Sequence, residues 1–349
     1  MSLTLTVDGE RWRRHLRDVA EANPGLVPVI KGNGYGFGVT RLAEIAAWLG
    51  VDTIAVGTYH ELPLVERAFA GNLMVLTPWR PTGPIPPGSL DPARVIHTVS
   101  RLADLLALLD RQPGARVVLE RLTSMRRHGM SAEELRAASH LLANRPADVE
   151  GVAFHLPLAH GAHLTEVVHL VNDVVAADLA TRTLWVSHLT PPELSRLRSS
   201  YADFDVRPRI GTDLWLGARD AMKVTATVLD VHEVERGDVY GYRGRSVPKG
   251  GHILVVSGGT AHGIGLEAPT GDHSIKARAA TLARGGLDAA GFVRSPFTVD
   301  GKPRLFAEPP HMQASMLFLP HGPRVPAVGE EVAVRVRFTA TTFDRIEIS

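Results

Sequence analysis

Lys31 closes the apolar run Val27–Pro28–Val29–Ile30 and opens the glycine-rich stretch Gly32–Asn33–Gly34–Tyr35–Gly36–Phe37–Gly38. A lysine at the end of a buried strand suits nucleophilic chemistry. Desolvation disfavours its ammonium form, and a free amine makes Schiff bases with carbonyl compounds. The glycines let the backbone and Tyr35 approach a bulky ligand closely. A lysine whose stem covers apolar surface while its charge reaches water has the same local pattern, so Lys31 alone leaves both readings open. Other polar residues also end, or just follow, apolar runs: Arg126–Arg127, His155, Ser187–His188 and Arg209. Singly, each has an ordinary alternative. His155 can be a satisfied rim histidine and Arg209 an ion-pair partner. Ser187 can cap a helix, although Thr190 ahead of Pro191 and Pro192 is the better cap. Together they suit an anionic, planar ligand: arginine matches phosphate or a ring nitrogen, serine and backbone amides bind phosphate, and histidine stacks on a ring.

The elements that would position these residues are short apolar runs at Val27–Lys31, Thr53–Gly57, Leu73–Thr77, Val95–Val99, Arg116–Arg121, Gly151–His155, Thr183–His188 and Phe204–Ile210. Amphipathic segments such as Arg41–Leu49, Leu102–Leu109, Glu133–Leu142 and Glu166–Leu179 lie between them. Strands alternating with helices predict a parallel sheet. Eight units in roughly 190 residues predict a closed (β/α)8 barrel, smaller than the typical ~250 residues, whose chemistry sits at the C-terminal strand ends. An open doubly wound sheet is the alternative. The glycine run contains neither a phosphate-loop Gly-Lys-Ser/Thr nor the dinucleotide pattern G-x-G-x-x-G. Beyond Met222 helical patterns nearly vanish: Lys223–Val234 alternates, Gly250–Ser257 is β-rich, Phe297–Glu308 reads as a hairpin around Asp300–Gly301, and Val332–Phe338 and Phe343–Ile348 read as closing strands. The predicted organisation is a barrel over residues 1–218 and an all-β domain over 219–349.

Composition sets limits. At 349 residues the chain exceeds what one core usually supports. A formal net charge of +1 gives no case for nucleic acid or an anionic membrane surface. With 0 cysteines, disulfides, thiolate nucleophiles and cysteine–zinc sites are excluded. No stretch reaches the ~18 apolar residues of a membrane span, and Met1–Trp12 lacks the pattern of a signal peptide, so a cytoplasmic protein is expected. His155, His160, His163 and His188 could suggest a metal, but His160 and His163 are three apart in an expected loop, and no metal is expected.

The motifs taken in order resemble those of alanine racemases. Val29–Ile30–Lys31–Gly32–Asn33–Gly34–Tyr35–Gly36–Phe37–Gly38 is similar to the family's pyridoxal-phosphate lysine motif, V-V-K-A-N-A-Y-G-H-G. Thr123–Ser124–Met125–Arg126–Arg127–His128–Gly129 resembles T-G-M-x-R-x-G, and Gly151–Val152–Ala153–Phe154–His155 resembles G-x-x-T-H. Arg209–Ile210–Gly211–Thr212 resembles R-x-G-I, and more closely the R-I-G-E of ornithine-type racemases. The resemblance implies a fold-type III enzyme in which Lys31 holds pyridoxal 5'-phosphate as an internal aldimine and acts as a base on one face of an amino acid. It implies that Tyr35, Ser187 and the Gly211–Thr212 backbone hold the phosphate, that His155 lies against the ring, and that Arg209 faces the ring nitrogen. Arg127 would contact the cofactor's phenolic oxygen or the substrate carboxylate. Family members are head-to-tail homodimers in which the β domain of one chain completes the partner's site.

Departures from the family pattern fall on the substrate side. Where the family has G-Y-A-D-G, with its second catalytic base, this chain has Gly259–Thr260–Ala261–His262–Gly263. A threonine hydroxyl is far less acidic than a phenol of pKa about 10, so Thr260 is a poor second base. His262, with an ordinary pKa of about 6.5, is the candidate relay, or else a packed loop residue. His311–Met312–Gln313 resembles the substrate-contacting C-M-D turn, with Met312 kept and Gln313 in place of aspartate. The chain stops at Ser349, where family members usually continue and supply another phosphate-binding tyrosine. The resemblance therefore implies a diverged, racemase-like isomerase whose substrate need not be alanine. Two alternatives stay open: another reaction of the same cofactor, such as decarboxylation or aldol cleavage, and a non-catalytic cofactor-binding paralogue.

Overall fold

The computed structural model describes residues 2–83, 90–145, 147–158, 163–266 and 293–349. β1 (Leu3–Val7) and α1 (Gly9–Ala22) open the chain. Eight parallel strands follow: β2 (Val27–Ile30), β3 (Thr53–Val56), β4 (Asn72–Val75), β5 (Val95–Val99), β6 (Arg116–Arg121), β7 (Asp148–His155), β8 (Thr183–Ser187) and β9 (Asp205–Ile210). They form a closed barrel in chain order, sealed where β2 pairs with β9 through Val27–Arg209 and Pro28–Ile210. Closure, which hydrophobic periodicity cannot see, decides for the barrel and against the open sheet. The helices are α2 (Val39–Trp48), α3 (Leu62–Val65), α4 (Leu102–Arg111), α5 (Ala132–Asn144), α6 (His163–Ala177), α7 (Pro191–Ser200) and α8 (Thr212–Leu216).

Local chemistry explains where these helices start. Ser131 and Glu134 cap α5 reciprocally, and Thr190 caps α7 ahead of Pro191 and Pro192, with Glu193 bonding back. Inside the barrel, Val27, Val29, Ala55, Met74, Ile96, Val118, Ala153 and Trp185 pack into one buried cluster. The small Ala55 and Ala153 make room for the indole of Trp185, whose Nε1 donates to the Glu150 carbonyl at 2.8 Å.

The chain divides into two compact units, residues 13–217 and residues 1–12 with 218–349. The second unit is built on an eight-stranded sheet of β10 (Met222–Val234), β13 (Gly251–Ser257), β14 (Arg294–Val299), β15 (Lys302–Phe306), β16 (Ala314–Pro320), β17 (Glu331–Val334), β18 (Arg345–Ile348) and β1. A short hairpin, β11 (Val239–Tyr240) and β12 (Arg245–Ser246), stands beside it in sequence. The predicted turn at Asp300–Gly301 joins β14 to β15, with φ of 55° and 70° as a tight hairpin turn requires. One boundary differs from the sequence reading: the first twelve residues group with the β unit. β1 pairs antiparallel with β10 from Leu3–Ala226 to Val7–Met222 and parallel with β18, burying Leu3, Leu5 and Val7. Among the described residues no helix is long and apolar enough to cross a membrane.

Candidate active site

Side chains alternate along a strand, so the inward row of the barrel core continues two residues further at the C-terminal mouth. Lys31 follows Val29, Gly57 follows Ala55, Glu120 follows Val118, His155 follows Ala153, and Ser187 follows Trp185. The fold thus brings Lys31, His155, Ser187 and Arg209, picked out separately in the sequence, to the ends of β2, β7, β8 and β9.

The glycine-rich stretch folds as a compact turn, with the Gly34 amide donating to the Lys31 carbonyl at 3.0 Å and the Gly38 amide to Asn33 at 3.2 Å. Tyr35 occupies a left-handed conformation, φ 54°, and is buried; burial pushes its phenol up to about 12. Its hydroxyl lies so close to Gly211 that a Cβ there would fall 2.1 Å from it. Only glycine fits, and Tyr35 is thereby brought to Gly211 and Thr212 at the start of α8. Trp215 of α8 donates from Nε1 to the Val29 carbonyl at 2.8 Å, tying that helix to β2.

The mouth is rich in positive charge. Burial, then Arg127, lowers the Lys31 pKa, and Arg209 adds to this while Glu61 opposes it. Burial and the same arginines hold His155 down to about 3, so it is neutral at ordinary pH. Its Nδ1 lies 3.0 Å from Ser187 Oγ, and its ring meets that of His188 edge-on at 5.2 Å. Arg209 is buried; its Nη2 donates to the Phe154 carbonyl at 3.0 Å, while its Nε has no hydrogen-bond partner among the described residues. Arg127 is exposed on the loop between β6 and α5. That loop is pinned by Thr123 Oγ1 donating to the His155 carbonyl at 2.7 Å and by Ser124 on Glu166.

Two acids at this mouth escaped the sequence reading. Glu61 accepts from the backbone amides of Gly32 at 2.7 Å, Gly57 at 2.5 Å and Thr58 at 3.1 Å, bracing the turn beside Lys31. Glu120 is 5% exposed; burial raises its pKa, Arg209 and Arg127 oppose the rise, and its Oε2 has no partner among the described residues. Strand parity with Val118 is the signal that places Glu120 inward. Glu61 carries only a capping-box pattern with Thr58.

The residues of the mouth fit pyridoxal phosphate. An unpartnered, buried Arg209 Nε matches an unprotonated ring nitrogen, which accepts but does not donate. The glycine-only cradle at Gly211, with Tyr35, and the surplus of positive charge match a phosphate dianion.

Thr260, His262, Met312 and Gln313 belong to the β unit. There the amides of Thr260 and Ala261 donate to the carbonyls of His311 and Met312, at 2.8 and 3.0 Å, so the two loops form one surface. Thr260, Met312 and Gln313 are exposed on it. His262 is buried, its Nδ1 accepting from the Gly259 amide at 3.2 Å and its Nε2 3.1 Å from Asp344 Oδ1. Both nitrogens are used within the β unit, which favours the packing role over the relay. His311 differs: its Nε2 lies 2.6 Å from the buried carboxylate of Glu308, its Nδ1 has no partner among the described residues, and the exposed Tyr242 ring sits 4.8 Å away. Of the four histidines weighed as metal ligands, His160 lies outside the described residues. Among those described, the ligand-type groups that gather within 4.8 Å are Glu233, Glu235 and His321, all exposed.

Comparison with known proteins gives consistent matches. The family profile described as alanine racemase, N-terminal domain, matches residues 7–201, more than half of the chain. The alanine racemase of Campylobacter jejuni subsp. jejuni serotype O:2 is 28% identical over 162 residues, 46% of this chain and 46% of that protein. The match therefore spans less than half the length of that relative. The alanine racemase of Nitratidesulfovibrio vulgaris is 27% identical over 279 residues, 71% of this chain and 72% of that protein. Among solved structures, alanine racemase from Bartonella henselae with covalently bound pyridoxal phosphate superimposes with a TM-score of 0.71 at 16% identity, covering 100% of both chains. Alanine racemase from Bacillus anthracis with bound L-Ala-P gives 0.70 at 18% identity, covering 96% of this chain and 86% of that one. At such identities the structural likeness concerns the fold alone.

Proposed function

Because the chain belongs to the family of the alanine racemase N-terminal domain, we propose that it binds pyridoxal phosphate at the barrel mouth and acts on the Cα–H bond of an amino acid, with Lys31 as cofactor anchor and one-face base. When bound, the cofactor supplies an electron sink that acidifies that bond. The observation that carries the reading is the placement of Lys31: an amine at the end of β2, still open to solvent at the barrel mouth, its pKa lowered by partial desolvation and by Arg127, at the same strand ends as a buried arginine whose Nε has no partner among the described residues. In this reading Tyr35, Ser187, Gly211 and Thr212 hold the phosphate. His155, neutral and fixed by Ser187, lies against the ring. Arg209 donates to the ring nitrogen and keeps it unprotonated, and Arg127 orients a carboxylate.

Racemisation also needs a proton delivered on the opposite face. Thr260 is too weak an acid for this, and His262 is locked by Gly259 and Asp344. We assign the proton to His311, whose Nε2 is oriented by Glu308 and whose Nδ1 is available. Met312 and Gln313 beside it are exposed on the same surface, which supports a homodimer in which this face completes the partner's site, with Met312 and Gln313 contacting substrate.

Borohydride reduction of the cofactor-loaded protein tests the anchor: the adduct is expected on Lys31, and an equally stable adduct in Lys31→Ala would remove the assignment. Incubation with an amino-acid panel in D2O then reads the chemistry. Cα label in both enantiomers marks racemisation. Label with retained configuration marks one-sided chemistry, and no label marks a binding protein.

A further inference from the structure

The loops after β4, β5 and β6 line a second cavity of about 350 Å³, open to solvent, within the barrel unit and beside Arg127 rather than at Lys31. Its wall carries Arg80, Ser100, Arg101, Arg127, His128 and Glu134. The charges there do not cancel. Arg80 is paired, with Nη1 2.6 Å from Asp104 and 3.2 Å from the Trp79 carbonyl. Glu134 is already engaged by the Ser131 amide at 2.8 Å. The guanidinium groups of Arg101 and Arg127, by contrast, have neither an ion pair nor a hydrogen bond among the described residues, and both residues are exposed. His128, exposed beside them, stands among guanidinium groups; partial burial, followed by Arg127, Arg80 and Arg101, lowers its pKa. Arg127 is shared: its charge acts on Lys31 on one side, and its side chain walls the cavity on the other.

We propose that this cavity receives an anionic side-chain terminus, a carboxylate or a phosphate, of the amino acid handled at Lys31, with Arg101 and Arg127 as its guanidinium partners and His128 as a further hydrogen-bonding group. The inference rests on the reading of Lys31 given above and names the substrate class that reading left open. An alanine methyl would leave the cavity to water, with the guanidinium groups of Arg101 and Arg127 outnumbering the one carboxylate of Glu134 in its wall. A side chain ending in an acid and long enough to pass Arg127 would satisfy them, since the planar guanidinium fork matches carboxylate and phosphate oxygens in pairs.

The test is calorimetric titration of the cofactor-saturated protein with glutamate, aspartate, O-phosphoserine, glutamine and alanine, and with glutarate, which has no amino group. The preferred acid should bind about 10- to 100-fold more tightly than glutamine, the range expected of hydrogen bonds to charged groups. That preference should fall by about tenfold in Arg101→Gln, an exposed position, and weaken as salt screens the pair. Glutamate and aspartate preferred over O-phosphoserine identify a carboxylate, and the reverse order a phosphate. Equal binding of acids and their neutral counterparts, or a preference unchanged in Arg101→Gln, overturns the inference. Borohydride fixation on the same preparations separates the two readings. If Lys31 carries no cofactor, the reaction assignment falls, while glutarate binding and its sensitivity to Arg101→Gln still decide the cavity.

Discussion

His97 and His311 illustrate how surroundings sort histidines into roles. His97 is 1% exposed on β5, with Nδ1 2.8 Å from Tyr59 Oη, and burial holds its pKa down to about 4. Its unfolded value is about 6.5. Between those values the unfolded chain binds more protons, so His97 contributes stability that is present above pH about 6.5 and lost as pH falls through about 4, roughly 3 kcal/mol in all. His97→Asn should flatten the dependence of unfolding free energy on pH in that window, measured by urea titration at successive pH values; an unchanged slope would show that His97 is protonated in the native state. His311 is half-open and paired with Glu308. His311→Asn should lower opposite-face proton delivery by about 10²–10⁴-fold, the usual contribution of a general acid or base. His262→Asn should instead lower stability by about 1–3 kcal/mol through its two lost hydrogen bonds, with less effect on turnover. The opposite pattern would return the relay to His262.

At the scale of elements, the loop from β6 to α5 governs where Arg127 stands. It doubles back so tightly that the Leu122 amide donates to the Met130 carbonyl at 2.9 Å and the Met130 amide to Glu120 at 2.7 Å. Gly129 at the crossing has φ +129°, and a Cβ there would lie 2.3 Å from the Leu122 nitrogen. Gly129→Ala must therefore shift the loop as well as strain it, with an expected loss of about 1–3 kcal/mol. Because Arg127 serves both Lys31 and the second cavity, acid binding should weaken in the same variant. A thermal scan together with glutarate titration checks both. Unchanged values in both would show that the loop relaxes freely.

At the scale of the whole molecule, the proposed homodimer would use the exposed Thr260, Met312 and Gln313 of the β unit to complete the partner's site. Sedimentation of the cofactor-loaded protein should give twice the 37.7 kDa chain mass. An active monomer would remove the shared-site reading. With His311 in place of the phenol and a cavity suited to an acidic side chain, alanine racemisation should be weak in the wild type. Thr260→Tyr should raise it if that loop reaches the partner's barrel; no gain in a variant that still dimerises would place the loop elsewhere.

By itself the sequence determined the features carried by local spacing. Eight apolar runs became β2–β9, Thr190 with its two prolines became the start of α7, and Asp300–Gly301 became a hairpin turn. A strand's period of two and a cap's spacing of three are properties of neighbouring residues, so they are legible without the fold. The same is true of Lys31 at a strand end. Other features depend on pairings between distant segments. β1 joins the far β unit because its partners are residues 222–226 and 345–348. Glu61 braces Gly32 across 29 residues, and His262 is locked by Asp344 across 82. No local pattern records which distant backbone or carboxylate will arrive, so tertiary packing decided that His262 is engaged, that Arg209 keeps a free donor, and that the barrel closes.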